Sequence, residues 1–133
     1  MDLMDSISIG VDIVSIERIS KNIEDINNRF INRVYTKDEI NYCKNKENNS
    51  HHFAGRLAGK EAVSKALKMT WKEGINWKDI EILNEKNGIP KVKLYGEAEK
   101  IANKRKIKDI RISISHEKDY AVAFVVTIEG KKK

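Results

Sequence analysis

The sequence has little of what marks several large classes of protein. It contains one proline and seven glycines in 133 residues, and 40% of its residues are hydrophobic, so it is neither collagen-like nor disordered. Its apolar runs are far shorter than the roughly 18 residues that a membrane span requires. The first residues lack the basic and then apolar pattern of a signal peptide. We therefore expect one soluble domain over residues 1–133, with a frayed basic tail at 130–133.

Cysteine and aromatic residues are also scarce. Cys43 is the single cysteine, so no internal disulfide can form, and a reducing cytoplasm is the expected compartment. Aromatic residues make up 7% of the chain and are not interleaved with basic residues, as they are on surfaces that stack nucleobases. Trp71 and Trp77 are therefore predicted to lie in a core or an interface.

The net charge is +6 at pH 7, but half of this excess comes from the three lysines at the C-terminal end. A mildly basic surface suits an acidic protein, a phosphorylated small molecule or nucleic acid, and it does not choose among them.

Hydrophobic periodicity predicts an α+β domain with a mainly antiparallel sheet packed on a long central helix. Ile7, Ile9, Val11 and Ile13 alternate as in a strand, and Gly10 and Asp12 fall on its other face. Thr36 and Glu39 form a capping-box pattern that begins a helix at residues 37–44. The other predicted elements are a helix at 16–26 that breaks at 27–30, the long helix at 51–68, a hairpin of 80–83 and 92–95 around Asn87-Gly88, a helix at 96–106, and a terminal hairpin of 110–116 and 121–128.

The predicted long helix has two different faces. One side gathers small and apolar residues, namely Gly55, Ala58, Gly59, Ala62, Val63, Ala66 and Leu67. The other gathers Lys60, Glu61, Ser64, Lys65 and Lys68. The small-residue face cannot fill a core alone, and the last strand is apolar at nearly every position, so we expect copies of the chain to assemble in a closed ring.

Asp12 and Glu61 are the leading candidates for chemistry. Two carboxylates brought together by packing suit Mg²⁺, whose other positions are taken by water and substrate phosphate. The alternative is structural: Glu61 pairs with Lys65 one turn away, and Asp12 caps a turn.

The other polar candidates also have two interpretations. His116, where a strand enters a turn, either binds phosphate or is satisfied by backbone. Arg56, Lys60 and Lys65 either bind an anion or form a solvated face. His51 and His52 have no metal-ligand spacing with Cys43, and no role is assigned to them.

The sequence lacks a Walker loop, a GxGxxG motif and a serine-centred nucleophile elbow. A carboxylate pair beside lysines remains, and it suits phosphoryl chemistry on a diphosphate. Two other functions stay open at this point. One is a different metal-dependent phosphotransferase or phosphohydrolase, and the other is a basic module that binds RNA.

Five blocks of the sequence resemble one family in the same order. Residues 9–18, IGVDIVSIER, resemble the opening GxDIVxIxR motif of the bacterial holo-[acyl-carrier-protein] synthases, which are small 4'-phosphopantetheinyl transferases. Residues 53–67, FAGRLAGKEAVSKAL, resemble their central FAGRFAAKEAxxKAL helix. Residues 33–39, 87–90 and 113–123 match further blocks. The likeness runs from about residue 7 to residue 126.

The resemblance implies the 4'-phosphopantetheinyl transferase fold and activity: transfer of phosphopantetheine from coenzyme A to a serine of apo acyl carrier protein, in support of fatty acid biosynthesis. It implies that Asp12 and Glu61 hold Mg²⁺ against the pyrophosphate of coenzyme A, with Glu61 or a metal-bound water as base. Lys65 would stabilise developing charge. The implied contacts to coenzyme A are Arg56, Lys60, Lys65 and His116 on its phosphates, and Asn87, Gly88 and Pro90 near its nucleotide.

The resemblance also implies partners. Arg18 would meet the acidic recognition helix of the carrier protein, and the family is typically a homotrimer with active sites between protomers. The sequence departs from the family at two places. Residues 68–71, KMTW, replace a glycine-rich turn, which leaves the backbone less free to approach phosphate. Glu117 replaces a threonine after the histidine, so an acid stands where a hydroxyl could bond a phosphate.

Overall fold

A computed structural model describes residues 6–24, 29–69 and 76–130 of the chain. The predictions about Trp71, about the turn residues Thr70 and Trp71, and about the lysines of the C-terminal tail lie outside these residues. The described strands are β1 (Ile7–Ser15), β2 (Ile80–Asn84), β3 (Pro90–Leu94), β4 (Ile107–His116) and β5 (Tyr120–Glu129). The described helices are α1 (Ile16–Asn22), α2 (Arg29–Val34), α3 (Lys37–Lys44), α4 (Asn49–Ala66) and α5 (Gly96–Lys104), with a 3₁₀ turn at Trp77–Asp79.

The strands form two antiparallel sheets. The larger has the order β1-β5-β4, and β2 pairs with β3 in a separate hairpin. Helix α4 packs across β1 and β5, and its buried residues include Ala58, Ala62 and Ala66. The predicted α+β architecture with an antiparallel sheet on a long central helix is confirmed.

Local sequence signals explain where the elements begin and turn. Thr36 and Glu39 form both bonds of the capping box at the start of α3. At the tip of the β2-β3 hairpin Gly88 has φ of 85°, a left-handed conformation that glycine adopts without strain. Pro90 begins β3, where its missing N–H costs least.

Two predictions about local structure are wrong. The helix predicted at 16–26 ends at Asn22, and Arg29 and Phe30, predicted to lie in the break after it, begin α2. Lys60 was expected on the outward side of the long helix, but its side chain is fully buried. Its Nζ lies 2.7 Å from Oε1 of Glu39, which is also fully buried, and bonds the carbonyls of Trp77 and Ile80. Lys60 points inward because those oxygens replace its water.

Strand β1 and helix α4 approach each other very closely at Gly10. A Cβ on Gly10 would lie 2.0 Å from the carbonyl oxygen of Ala62 and 2.9 Å from the amide nitrogen of Ala66. The Ser8 hydroxyl donates to the Ala66 carbonyl at 2.8 Å. Glycine at position 10 and alanines on α4 thus let the two backbones touch.

The other face of β1 is apolar and open. Ile9 and Ile13 are each 63% exposed, and Phe124 on the neighbouring strand β5 is 46% exposed. We call this surface the outer strand face; its members are Ile7, Ile9, Val11, Ile13, Val122 and Phe124. Scattered exposed apolar residues are ordinary, but a contiguous group on two paired strands marks an interaction surface.

Within residues 6–24, 29–69 and 76–130, no helix has both the length and the apolar character needed to cross a membrane.

We expect Gly10→Ala to lower the free energy of unfolding by about 3 kcal/mol, because the new Cβ forces β1 away from the backbone of α4. Urea denaturation monitored by circular dichroism measures the change. Gly130→Ala is the matched control, since its Cβ would lie 3.5 Å from the nearest atom. Equal midpoints for the two variants would contradict the tight packing at Gly10.

Candidate active site

Asp12 and Glu61 come together where β1 crosses α4. Asp12 lies two residues after Gly10 on the face of β1 that meets the helix, and Glu61 directly precedes Ala62, whose carbonyl approaches Gly10. The Asp12 side chain is only 14% exposed, and its Oδ2 is buried with no hydrogen-bond partner among the described residues. The structure therefore brings together the two acids singled out in the sequence.

The proximity of the two acids changes the acidity of Glu61. Burial raises its pKa to about 7; a hydrogen bond to Asp12 and the charge of Asp12 act in the same direction. The charges of Lys65 and Arg18 oppose the rise. A carboxylate pair that shares a proton near neutral pH places hard oxygen ligands close together, which suits a divalent cation.

Lys65 lies on Asp12 rather than on Glu61. Its Nζ is 2.8 Å from Oδ1 of Asp12 and 3.0 Å from the carbonyl oxygen of Val11. The structural alternative was an ion pair between Glu61 and Lys65 within the helix. Lys65 on α4 pairs instead with Asp12 on β1. The Lys65 side chain is 57% exposed, so its ammonium group remains open to an anion from solvent.

A cavity of about 150 Å³ lies towards the N-terminal end of α4. Arg56, His116, Gly88 and Pro90, all predicted to bind a phosphorylated ligand, line it. Because an α-helix rises 1.5 Å per residue, Arg56 and Glu61 are about 7.5 Å apart along α4. The cavity and the acid pair therefore form two parts of one elongated site.

Arg56 dominates the charge of this cavity. It is 4% exposed, its guanidinium lies 4.2 Å from the centre of the Tyr42 ring, and it donates to Oδ1 of Asn84. Its Nε is buried and has no hydrogen-bond partner among the described residues. The described residues that line the cavity include no acid, so an anion is the ligand that this lining suits.

Two other candidates lie away from the cavity or the acid pair. Lys60 faces the opposite way, into the Glu39 contact described above. The Asn87 side chain accepts a hydrogen bond from the amide of Ile89 at 3.1 Å within the hairpin turn, and Asn84 occupies the cavity wall instead.

Arg18, on α1, is exposed, and its charge acts on Glu61, which places it near the acid pair.

His51 and His52, to which the sequence assigned no role, belong to this site. Both line the cavity with His116. The available signal was their position one turn before Arg56 on the long helix, which puts His52 and Arg56 on one face.

Comparison with known proteins decides the family. The sequence profile of the 4'-phosphopantetheinyl transferase superfamily matches residues 8–125. The chain is 44% identical over 124 residues to the holo-[acyl-carrier-protein] synthase of Thermoanaerobacter sp. (strain X514), with 93% of this chain and 88% of that protein covered. The chain belongs to the 4'-phosphopantetheinyl transferase superfamily.

Two further holo-[acyl-carrier-protein] synthases are similar to this chain. The holo-[acyl-carrier-protein] synthase of Halothermothrix orenii is 45% identical over 122 residues, covering 92% of this chain and 97% of that protein. The Helicobacter pylori holo-[acyl-carrier-protein] synthase, solved in complex with coenzyme A, superposes with a TM-score of 0.76 at 38% identity and covers 90% of this chain and 98% of that chain. The resemblance drawn from the five sequence blocks is confirmed: the chain is a transferase rather than an RNA-binding module.

For this phosphopantetheinyl transferase we expect Glu61→Gln to become more stable than the wild type as pH rises. The pKa of Glu61 in the folded chain lies above its ordinary value of 4.5. The protonated form therefore favours folding at low pH, and that contribution is lost as pH rises towards 7. Urea denaturation in EDTA should show a gap that widens between pH 4.5 and 7 and then levels off.

Glu17→Gln is the control for this pH dependence, because Glu17 is exposed and pairs with Lys21 one turn away. A constant gap between Glu61→Gln and the wild type across this range would mean that Glu61 titrates normally.

Proposed function

We propose that this chain transfers 4'-phosphopantetheine from coenzyme A to a serine hydroxyl of apo acyl carrier protein and releases adenosine 3',5'-bisphosphate. The observation that carries the proposal is the pair of acids, Asp12 and Glu61, held beside Lys65 and about 7.5 Å along α4 from Arg56 and its cavity. Coenzyme A carries a diphosphate and a separate monoester phosphate, and this elongated site offers a place for each.

The residues present fit a magnesium ion. Mg²⁺ usually takes one or two protein carboxylates and completes its coordination with water and substrate phosphate. The buried Oδ2 of Asp12 is an unused acceptor, and the pKa of Glu61 is raised first by burial and then by its hydrogen bond to Asp12 and the charge of Asp12. Asp12 and Glu61 would hold the ion, which when bound neutralises charge on the diphosphate of coenzyme A.

The chain's own groups then account for the transfer. The serine oxygen of the carrier forms a bond to the β-phosphorus of coenzyme A, and the bond from that phosphorus to the bridging oxygen breaks. Glu61, beside Asp12 and Lys65, is the residue of this chain that would accept the serine proton. Lys65 stabilises the negative charge that develops on the departing adenosine 3',5'-bisphosphate.

The nucleotide end of coenzyme A is assigned to the cavity. Arg56 and His116 bind phosphate there, and Gly88 and Pro90 shape the wall beside them. Lys60 is assigned to the interior of the protein and not to phosphate. The Asn87 side chain maintains the hairpin turn that presents Gly88.

The carrier protein approaches from the side of α1. Arg18 is exposed there, and its charge reaches Glu61, so an acidic carrier bound at Arg18 would bring its serine close to the acid pair. Carriers of this kind serve fatty acid biosynthesis. The buried free thiol of Cys43 suits a reducing cytoplasm as the compartment.

Assembly as a homotrimer, with active sites between protomers, accounts for the outer strand face. An exposed apolar surface on β1 and β5 would be covered by copies of the chain in a closed ring. Asp12 alternates with the exposed residues Val11 and Ile13 of that same strand, so a neighbouring protomer on this face would lie close to the carboxylate site.

The decisive assay measures the mass of the carrier. Incubation with coenzyme A, Mg²⁺ and an apo acyl carrier protein should add about 340 Da to the carrier, the mass of one phosphopantetheine. Asp12→Asn should reduce the rate by at least about a hundredfold, because one of two metal carboxylates is lost. Asp109→Asn is the control: Asp109 also pairs with a cation, Arg111, but on β4 away from the site.

The same assay separates the alternatives. Cleavage of coenzyme A without a carrier would favour a phosphohydrolase. Transfer by Asp12→Asn at the wild-type rate would remove that acid from the site.

The trimer has its own test. Light scattering at micromolar concentration should give about three times the 15.3 kDa of one chain. Phe124→Asp should give smaller species with little activity, because it places a charge in the centre of the outer strand face. Asn103→Asp is the control, since it adds the same charge at an exposed position on α5, outside the outer strand face and the cavity. A fully active monomer would contradict the trimer.

A further inference from the structure

All three histidines of the chain meet in the cavity beside Arg56. His51 and His52 lie in the first turns of α4, and His116 ends β4. The rings of His51 and His116 are 5.2 Å apart between centroids, and those of His52 and His116 are 5.8 Å apart. Three imidazoles from two distant parts of the sequence thus form one cluster, which we call the histidine cluster.

The closest contact in the histidine cluster depends on protonation. Nδ1 of His51 lies 3.4 Å from Nδ1 of His116. One ring donates and the other accepts when one of the two Nδ1 atoms carries a proton and the other does not. When both rings are charged, both nitrogens are donors, and each needs an acceptor from outside the pair. A phosphate oxygen is such an acceptor.

The surroundings of the cluster are positive. Arg56 on α4 and Lys46 after α3 are the cations that act on His52, and the other two histidines act on it as well. The Tyr42 ring packs edge-on against His52 at 6.0 Å and also carries Lys46 and Arg56 on its ring. Glu117, which follows His116, is the neighbouring acid, and it lines an adjacent surface groove with His116 and Tyr120.

The burial and the positive charge around His52 disfavour its charged form when no anion is bound. Burial lowers the pKa of His52, and the charges of Arg56 and His116 lower it further. The N-terminal end of α4 adds a positive potential. A phosphate dianion in the cavity favours the charged rings, because it neutralises the surrounding positive charges and accepts hydrogen bonds from the protonated rings.

Arg56 independently points to an anion in this cavity. Its side chain is more than nine-tenths buried, and its Nε has no hydrogen-bond partner among the described residues. A buried guanidinium nitrogen is rarely left without an acceptor. The missing acceptor and the histidine cluster face the same space.

We propose that His51 and His52, together with His116 and Arg56, bind the monoester phosphate of coenzyme A and take up a proton as they bind it. This inference rests on the proposed function, to which it adds two residues and a dependence on pH. The diphosphate is assigned to the acid pair at Glu61, so the monoester phosphate is the anion left for the cavity.

The proposal predicts a selectivity that depends on pH. Dephospho-coenzyme A lacks the monoester phosphate and is otherwise identical. Binding and protonation are linked reciprocally, so an anion that takes up one proton binds up to about tenfold more weakly for each unit of pH above neutrality. The preference for coenzyme A over dephospho-coenzyme A should therefore fall between pH 6.5 and pH 8.5.

Isothermal titration calorimetry of the full chain with Mg²⁺ measures this preference directly. The dissociation constants of both ligands are determined at several pH values, in pairs of buffers with different ionisation enthalpies to count protons. Titration of Glu61 affects both ligands alike, because both carry the diphosphate, and it cancels in their ratio. Above pH 6.5 the monoester phosphate is mostly a dianion, so the change in the ratio comes from the protein.

Variants assign the effect to the cluster. The double variant His51→Gln, His52→Gln keeps polar side chains of similar size and should lose most of the pH dependence and the extra proton. If the double variant does not fold, His116→Gln, at an exposed strand end, tests the cluster instead, and it should also reduce the pH dependence. His52→Arg should keep the preference for coenzyme A with a weaker dependence on pH. Lys118→Gln is the control for a general loss of positive charge, and it should leave the slope unchanged.

The outcomes separate this proposal from the proposed function. A ratio that is constant with pH in the wild type, or a slope that survives both the double variant and His116→Gln, overturns the proton-linked cluster even if the carrier is still modified. Failure to bind coenzyme A at any pH overturns both proposals.

Discussion

The contact of α4 with β1 is the constraint on which the rest of the site depends. Gly10 leaves no side chain between the two backbones, and the carbonyl of Ala62 occupies the space that a Cβ would need. Asp12 follows Gly10 on the same strand face, and Glu61 precedes Ala62 on the helix. The spacing of the two carboxylates is therefore set by backbone contact rather than by flexible side chains, which is how a carboxylate pair is kept in place despite its repulsion.

A buried ion pair controls the rotation of α4 about its axis. Glu39 accepts from the Thr36 amide, contacts the Lys60 ammonium at 2.7 Å, and accepts from the Ile82 amide at 2.9 Å. Loss of either partner would leave a buried charge without compensation, which costs several kcal/mol. Lys60 and Glu61 are adjacent in sequence, so fixing Lys60 inward directs Glu61 towards Asp12.

Local sequence patterns predicted most of the helices and strands. The features that they did not predict depend on contacts between residues far apart in the sequence. The capping box at Thr36, the turn at Gly88 and the alternation in β1 each depend on neighbours in sequence, and each agrees with the structure. The inward direction of Lys60 depends on Glu39 and on carbonyls that come from distant elements, and a helical wheel does not contain them. The meeting of His51 with His116 spans 65 residues. The sequence singled out Asp12 and Glu61, and the family resemblance gave the two acids a role.

The ends of two helices hold a conformation that their residues do not favour. Lys68, after α4, has φ of 57°, and Lys106, after α5, has φ of 59°. Helices commonly end in this left-handed conformation, but with glycine, because a side chain there costs about 1 kcal/mol or more. In both places the backbone geometry is that of a glycine cap while the residue is lysine. The fold could therefore accept glycine at either position with a gain in stability, so the chain is less stable than its own backbone permits.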